Sequence, residues 1–248
     1  VNLEERLLDR WSGAKFHAIN PGVKANKTAA LGVAADRVRV AERGRDPERY
    51  APRSDAELGA LRTELGLEPD DRLVLCVARH EPPKGLDRLV GMVDELVERD
   101  ARVVVAIAGR EGVSTPGLRN QAQGLRHPDR LRFLGHRDDV PSLLQLASVS
   151  VCPSYREGGA MAVVEAWASG TPVAVVPIEG LKGVFVDDQN AVVRPAETLA
   201  AAIGDLLEDP DRAARLAASA RADFDARFTV ERSAEQLLQV YDWAASGR

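Results

Sequence analysis

The chain has 248 residues, 45% of them hydrophobic, enough apolar material for a sizeable packed core and too much for a disordered segment. Asp and Glu (38) outnumber Lys and Arg (33), and the formal net charge of -5 supplies no general basic field, so nucleic acid is not an expected partner. No transmembrane segment is expected either, because the longest apolar candidate, 158–178, is interrupted by Glu165 and punctuated by glycine and proline.

The chain opens on Val1 without a charged start and apolar h-region, which argues against a secretory signal; an alternative start, a processed end and a truncated frame all stay open. Cys76 and Cys152 each lie in an apolar run, far from any partner at metal-ligand spacing, and are read as reduced and buried. A cytoplasmic location fits best, with peripheral attachment to the inner membrane left open. Early in the chain a short strand at 15–19 runs into Asn20-Pro21, an N-cap and first helical position. The helix ends near Leu31-Gly32, and a strand at 37–40 follows. This is one βαβ unit, which cannot cover both of its faces alone.

From residue 73 onward β-branched runs at 73–78, 102–108, 131–134, 149–152 and 172–176 alternate with helical stretches at 86–98, 116–125, 141–147 and 160–169. That rhythm predicts an α/β fold, a doubly wound parallel sheet of five strands with the valine-rich 102–108 near its centre. After Pro195 the pattern is helical to the end, at 196–207, 210–228 and 230–245.

The most informative stretch is Glu157-Gly158-Gly159-Ala160-Met161-Ala162-Val163-Val164-Glu165, which joins a buried strand to a glycine-rich turn and a helix. Ligands of open α/β sheets sit at such junctions. A helix beginning near Gly159 would point its free amides out of the carboxyl edge and favour an anion such as a diphosphate, which glycine lets approach closely. Glu165 then falls about two turns into the helix among core-facing residues. There an unpaired carboxylate costs several kcal/mol unless ligand hydroxyls or an arginine donate to it. Both readings stay open for Glu165, and a solvated loop position stays open for Glu157.

These residues resemble the retaining glycosyltransferases of family 4, which have the GT-B fold and carry a glutamate, seven residues and a second glutamate. The resemblance runs from about residue 36 to the end. It includes Pro153-Ser154-Tyr155-Arg156-Glu157-Gly158-Gly159, Glu165-Ala166-Trp167-Ala168-Ser169-Gly170-Thr171-Pro172-Val173 and Phe133-Leu134-Gly135-His136-Arg137-Asp138-Asp139-Val140. It implies that Glu165 binds the ribose of a nucleotide sugar, that Glu157 lies near the transferred sugar, and that Arg79 and Lys84 clamp the donor diphosphate and stabilise it as it leaves. Gly158, Gly159 and Ala160 would line the donor site, Gly44 would approach the phosphates from the interdomain hinge, and His136 and Val140 would flank the base. It also divides the chain into a remnant of an acceptor-binding domain (1–40), a nucleotide-sugar-binding domain (41–229) and a crossover helix (230–248). The earlier strands of the acceptor domain have no counterpart here, so exposed apolar surface is expected near both termini.

Other readings stand beside these. Glu81 could neutralise Arg79 and Lys84, Asp138 and Asp139 could cap the next helix, and Trp11, Trp167 and Trp243 are read as core or interface. The segment Ile178-Glu179-Gly180-Leu181-Lys182-Gly183-Val184 departs from the family's glycine-rich turn and Pro-Glu. The expected activity is hexosyl transfer from a nucleotide-diphosphate sugar to an unknown acceptor with retention, using no cofactor and no obligatory metal. The alternative is a non-catalytic nucleotide-sugar-binding module, or the donor-binding subunit of a split enzyme that needs a partner domain or subunit; sugar-nucleotide epimerisation is a distant third.

Overall fold

The computed structural model describes residues 14–246. Trp11, the beginning of the 1–40 unit and the last two residues of 230–248 lie outside the described residues.

The first elements form the predicted βαβ unit: β1 (Phe16–Ala18), α1 (Pro21–Leu31) and β2 (Val38–Val40), with β1 and β2 paired in parallel as a separate two-stranded sheet. Asn20 Oδ1 accepts the Val23 amide at 2.8 Å, and Gly32 closes the helix at φ 68°, a left-handed geometry that favours glycine. Ala18, Val33 and Val38 make a small core of their own. Next comes α2 (Asp55–Glu64), in a stretch where the sequence reading placed no element. Its signal is Ser54-x-x-Glu57, a reciprocal capping box: Glu57 Oε2 accepts the Ser54 amide at 2.9 Å and Ser54 Oγ accepts the Glu57 amide at 3.3 Å.

The main body alternates β3 (Arg72–Val77), α3 (Leu86–Arg99), β4 (Val103–Ala108), α4 (Thr115–Gln123), β5 (Leu131–Gly135), α5 (Val140–Leu146), β6 (Val149–Cys152), α6 (Met161–Ala168), β7 (Val173–Val175) and β8 (Val192–Val193). Helices α7 (Ala196–Glu208), α8 (Pro210–Arg227) and α9 (Val230–Ala245) finish the chain. The strands form one parallel sheet in the order β5-β4-β3-β6-β7-β8. It has six strands rather than five, because β8 is two residues long and too short to stand out as a β-branched run. The 102–108 strand lies second from one edge rather than near the centre, which β3 and β6 occupy. Every residue of β4 is buried, which reports an interior position and not which one.

The stripe expected on α3 is buried in full, with Leu86, Leu89, Val90, Val93, Leu96 and Val97 facing the sheet and Met92 added. Trp167 on α6 is wholly buried and meets the rings of Phe185 and Phe228 edge-on at 6.0 and 5.6 Å, so it joins α6 to the turn between α8 and α9. Trp243 takes Lys15 and Arg39 over its ring at 5.0 and 4.8 Å and so ties α9 to the β1–α1–β2 unit. On the same helix Leu238 and Tyr241 are 62% and 64% exposed, which is the apolar surface expected toward the C-terminus. No helix among the described residues is long and apolar enough to cross a membrane.

Trp167→Ala removes the ring between α6 and the α8–α9 turn and should cost about 3–5 kcal/mol, read as a fall in the urea midpoint. A loss below about 1 kcal/mol would show that the helices are held by other contacts.

Candidate functional site

The main sheet runs β3, β4, β5 outward in one direction and then returns to lay β6 beside β3, continuing through β7 to β8. The reversal between β3 and β6 opens a crevice outside their carboxyl ends, where doubly wound sheets hold ligands. A cavity of about 650 Å³ occupies that place. It is lined by Cys76 to Arg79 at the end of β3, Ala108 to Arg110 at the end of β4, His136, Arg137 and Val140 at the start of α5, Cys152 to Ser154 at the end of β6, and Glu157 to Val163 in the turn and first residues of α6. Ile19, Arg43 and Arg45 close it from the small unit and the segment after it.

Helix capping differs between two groups. Four helices outside the alternation of the main sheet, α1, α2, α8 and α9, are capped by the side chains of Asn20, Ser54, Asp209 and Thr229. The five that follow strands of the main sheet, α3 to α7, have no side-chain cap. Their first amides therefore lack protein acceptors from a cap, and those of α5 and α6, whose first residues line the crevice, open toward it with partial positive charge. Asp139, expected as a cap for α5, instead receives Arg137 at 2.6 and 2.8 Å, and Arg137 holds its carboxyl below the usual aspartate range. Asp138 caps nothing and is almost fully exposed beside His136.

The glycine turn starts its helix later than expected, at Met161 instead of Gly159, so Glu165 stands little more than one turn in rather than two. The left-handed residue of the turn is Ala160, at φ 44°, and neither Gly158 nor Gly159 has a positive φ. A Cβ built on Gly158 or Gly159 would meet only Ile19 Cδ1, at 3.7 and 3.5 Å, and Met161 Sδ at 3.6 Å, all ordinary contacts. The protein's own packing therefore does not require either position to be glycine. The turn is nevertheless well held: Asn20 Nδ2 donates to Gly158 O at 2.5 Å, and Gly180 lies so close that a Cβ there would be 2.7 Å from Glu157 O. Gly180 also abuts Gly22 of α1, so the departing segment 178–184 is a spacer between the turn and the small unit.

Two carboxylates enter the cavity, each already carrying one cation. Glu157 Oε1 accepts Lys84 Nζ at 2.7 Å and Ser154 Oγ at 2.9 Å, with its side chain 12% exposed, so it is not a solvated loop residue. Glu165 Oε1 accepts Arg45 Nε at 2.7 Å, so the arginine expected as one alternative is present, yet both groups line the cavity instead of turning into the core. Tyr50 lies beside this pair, and burial followed by the nearby Glu165 charge pushes its phenol up to about 12. Arg79 is exposed with no ion pair among the described residues, as are Arg43 and Arg110, and Glu81 pairs with neither Arg79 nor Lys84. Gly44 does not line the cavity: a Cβ there would meet Thr229 O at 2.1 Å, so its small size serves the seat of this segment on α9.

Sequence reasoning did not single out Asn20 as a clamp on the turn, Ser154 as a donor to Glu157, Tyr50, or Arg45 as the partner of Glu165. The only signal for Arg45 was indirect, a carboxylate in an apolar helix that demanded some donor. The cysteines are free and buried, and burial pushes both thiols upward and keeps them protonated. Among the described residues no group of three His, Cys, Asp or Glu side chains could hold a metal ion.

An open parallel sheet with uncapped helix starts and unpaired arginines around its switch point defines a doubly wound α/β domain with a crevice suited to anions. Residues 59–223 match the family Glycosyl transferases group 1, and the chain belongs to that family. It is 37% identical over 227 residues to a D-inositol 3-phosphate glycosyltransferase of Xylanimonas cellulosilytica, covering 88% of this chain and 54% of the relative. A protein of the same name from Nocardia farcinica is 34% identical, covering 86% and 49%. The chain thus spans about half the length of the curated relatives it matches. A Rickettsia africae glycosyltransferase superposes with TM-score 0.89 at 18% identity, over 100% of this chain and 68% of that one. Anabaena Alr3699/HepE, solved with UDP and glucose, superposes with TM-score 0.87 at 23% identity, over 97% and 66%. The α/β architecture is that of the GT-B glycosyltransferases.

Ala160 holds a conformation that costs an L-residue about 1–2 kcal/mol, while its methyl group gains about 0.8 kcal/mol by burial. Ala160→Gly should leave stability unchanged or raise it by up to about 1 kcal/mol in urea titration, and a loss of more than that would mean the methyl contact dominates. His80 is buried against Thr115, and desolvation lowers its pKa from 6.5, so the unfolded chain binds more protons than the folded one below that pH. Its stability contribution is complete above about pH 6.5 and is lost as pH falls toward the folded value. His80→Asn should flatten that part of the urea-midpoint profile, whereas a profile of unchanged slope would place the proton uptake elsewhere.

Proposed function

We propose that this chain is the donor-binding half of a retaining hexosyltransferase that takes its sugar from a nucleotide diphosphate. The observation that carries the reading is the Gly158-Gly159 turn, where no packing or backbone demand explains two glycines, placed on an uncapped helix start inside the cavity. A diphosphate seated there explains them, since its oxygens need room up to the backbone and accept from the first amides of α6.

In this reading Glu165 accepts the ribose hydroxyls and Arg79 meets the diphosphate. Lys84, whose ammonium has three donors and uses one on Glu157, still has donors for it. As the bond from the sugar's anomeric carbon to the phosphate oxygen breaks, the electron pair goes to the phosphate, the acceptor's hydroxyl oxygen bonds to the anomeric carbon and its proton passes to the departing phosphate, and the cations and helix amides stabilise the charge that grows there. Glu157 faces the transferred sugar, held in place by Lys84 and Ser154, and His136 and Val140 flank the base. The residues supply position and electrostatics, with no cofactor and no required metal. The solved neighbour from Anabaena contains UDP, which makes UDP-hexoses the first donors to try. The curated relatives are named for D-inositol 3-phosphate, which makes a phosphorylated inositol the first acceptor. The alternative, a donor-binding module that acts only with a further domain or subunit, draws support from the exposed Leu238 and Tyr241 on α9.

The test is a thermal-shift panel of UDP, GDP and ADP sugars. A donor at one hundred times its Kd stabilises by about 2.7 kcal/mol, a rise of roughly 5–10 °C for a chain of this size. Arg79→Ala and Glu165→Ala should each weaken binding by about 10- to 100-fold. If no sugar nucleotide raises the melting temperature, the proposal is wrong. Binding without transfer to any acceptor until a second polypeptide is added would select the module over the enzyme.

A further inference from the structure

Arg45 is held by two different parts of the molecule at once. Its backbone is bridged to the start of α9, Arg45 N donating to Phe228 O at 2.8 Å and Val230 N donating to Arg45 O at 3.0 Å. Gly44, one residue before, lies against Thr229 too closely to admit a Cβ. Three residues before Arg45, the buried Glu42 binds Arg227 at 2.7 and 3.2 Å, accepts Ser233 Oγ at its carbonyl, and donates its amide to Gln236. The segment 42–45 is therefore seated firmly on the end of α8 and on α9. Its guanidinium points the other way, into the cavity, where Nε meets Glu165 Oε1 at 2.7 Å while Nη1 donates to the Gly44 carbonyl at 3.3 Å. The contacts close a circuit, because Phe228, which accepts the Arg45 amide, packs its ring on Trp167, two residues after Glu165 on α6.

The carboxylate in this circuit has one oxygen on Arg45, and its second, Oε2, has no hydrogen bond among the described residues. Glu165 stands between Val164 and the fully buried Ala166 with its own side chain 18% exposed, so without its partner the carboxylate would lose the contact that fixes its orientation. A vicinal diol needs a carboxylate that is ionised and fixed in one orientation. Resting on the donor-site reading above, we propose that Arg45 is a positioning residue that fixes Glu165 with one oxygen on the guanidinium and the other toward the nucleoside, so that grip on the ribose depends on the seating of segment 42–45 against α9. Nothing is consumed by this arrangement: one donor of five on the guanidinium suffices for Glu165, and the pair does not have to break when the diol arrives.

The experiment is calorimetric titration of the wild-type chain, Arg45→Met and Arg45→Lys with three probes: UDP, or whichever nucleoside diphosphate the thermal panel selects, its 2′,3′-dideoxy analogue, and inorganic pyrophosphate. Arg45→Met should weaken the nucleoside diphosphate by about tenfold and leave the dideoxy analogue and pyrophosphate within about twofold, because only the diol reads the orientation of Glu165. Arg45→Lys, which restores the charge, should recover most of the loss. Where Arg45→Met does not fold, Arg45→Gln keeps the stem and a donor and gives a smaller loss of the same pattern. Equal or tighter binding of the nucleoside diphosphate by the variant would overturn the proposal, showing Arg45 to be a bystander or a competitor of the ribose. So would an equal loss for all three probes, which would show an effect on phosphate contacts or on the fold. A wild-type chain that binds none of the nucleoside diphosphates sinks the donor-site reading itself, whereas wild-type binding that Arg45→Met leaves untouched sinks only this inference.

Discussion

All strands of the main sheet point the same way, and the site follows from that constraint. Parallel pairing brings every carboxyl end to one edge and makes every following helix start there. Each start brings amides with partial positive charge, and none of these helices uses a side chain to satisfy them. At the boundary between β3 and β6 the helices diverge to opposite faces, so Lys84, before α3, and the first residues of α6 border a common space. The cavity is a consequence of topology before any individual side chain is considered.

Side chains then set its sign. Two carboxylates at the mouth of an anion-binding crevice would repel the ligand, were they not each held by a cation: Lys84 on Glu157 and Arg45 on Glu165. What carries no ion pair around the cavity among the described residues is positive, namely Arg43, Arg79 and Arg110. Pairing thus allows acidic groups suited to hydroxyls and cationic groups suited to phosphate to share a small volume without cancelling the field. The partly buried setting makes these pairs hard to remove singly, because either partner left alone is a desolvated charge. Gly158 and Gly159 complement this by keeping the wall bare where the charges converge.

The small β1–α1–β2 unit does more than precede the sheet. Asn20 caps its own helix and clamps Gly158, while Gly22 presses on Gly180, which in turn backs Glu157. The turn is therefore stabilised from a part of the chain more than a hundred residues away, and Ala160 can be kept in a left-handed conformation that a freer loop would relax. On the other side α9 is joined to the unit through Trp243, Lys15 and Arg39. Its exposed Leu238 and Tyr241 mark the face that this structure leaves uncovered.

Local chemistry made much of this legible in advance. The α3 stripe, the Asn20-Pro21 start, the span of α9 and the buried cysteines are properties of a few neighbouring residues, and hydrophobic period or capping chemistry states them directly. The Glu157–Glu165 stretch was visible for the same reason, as a strand, turn and helix in one run. What the amino-acid order did not disclose depends on distant contacts. The start of α6 moved to Met161 because Ile19, Asn20 and Gly180 surround the turn, β8 needed β7 as a partner to exist, and Gly44 turned out to fit Thr229 rather than the cavity. Which cation holds Glu165 was beyond local reading too, since an arginine 120 residues earlier becomes its neighbour only after the sheet, α6 and the α8–α9 turn have packed together. Periodicity and caps are short-range and survive in the sequence as pattern, whereas charge partners and close backbone contacts are decided by tertiary packing, which brings together residues that no pattern links.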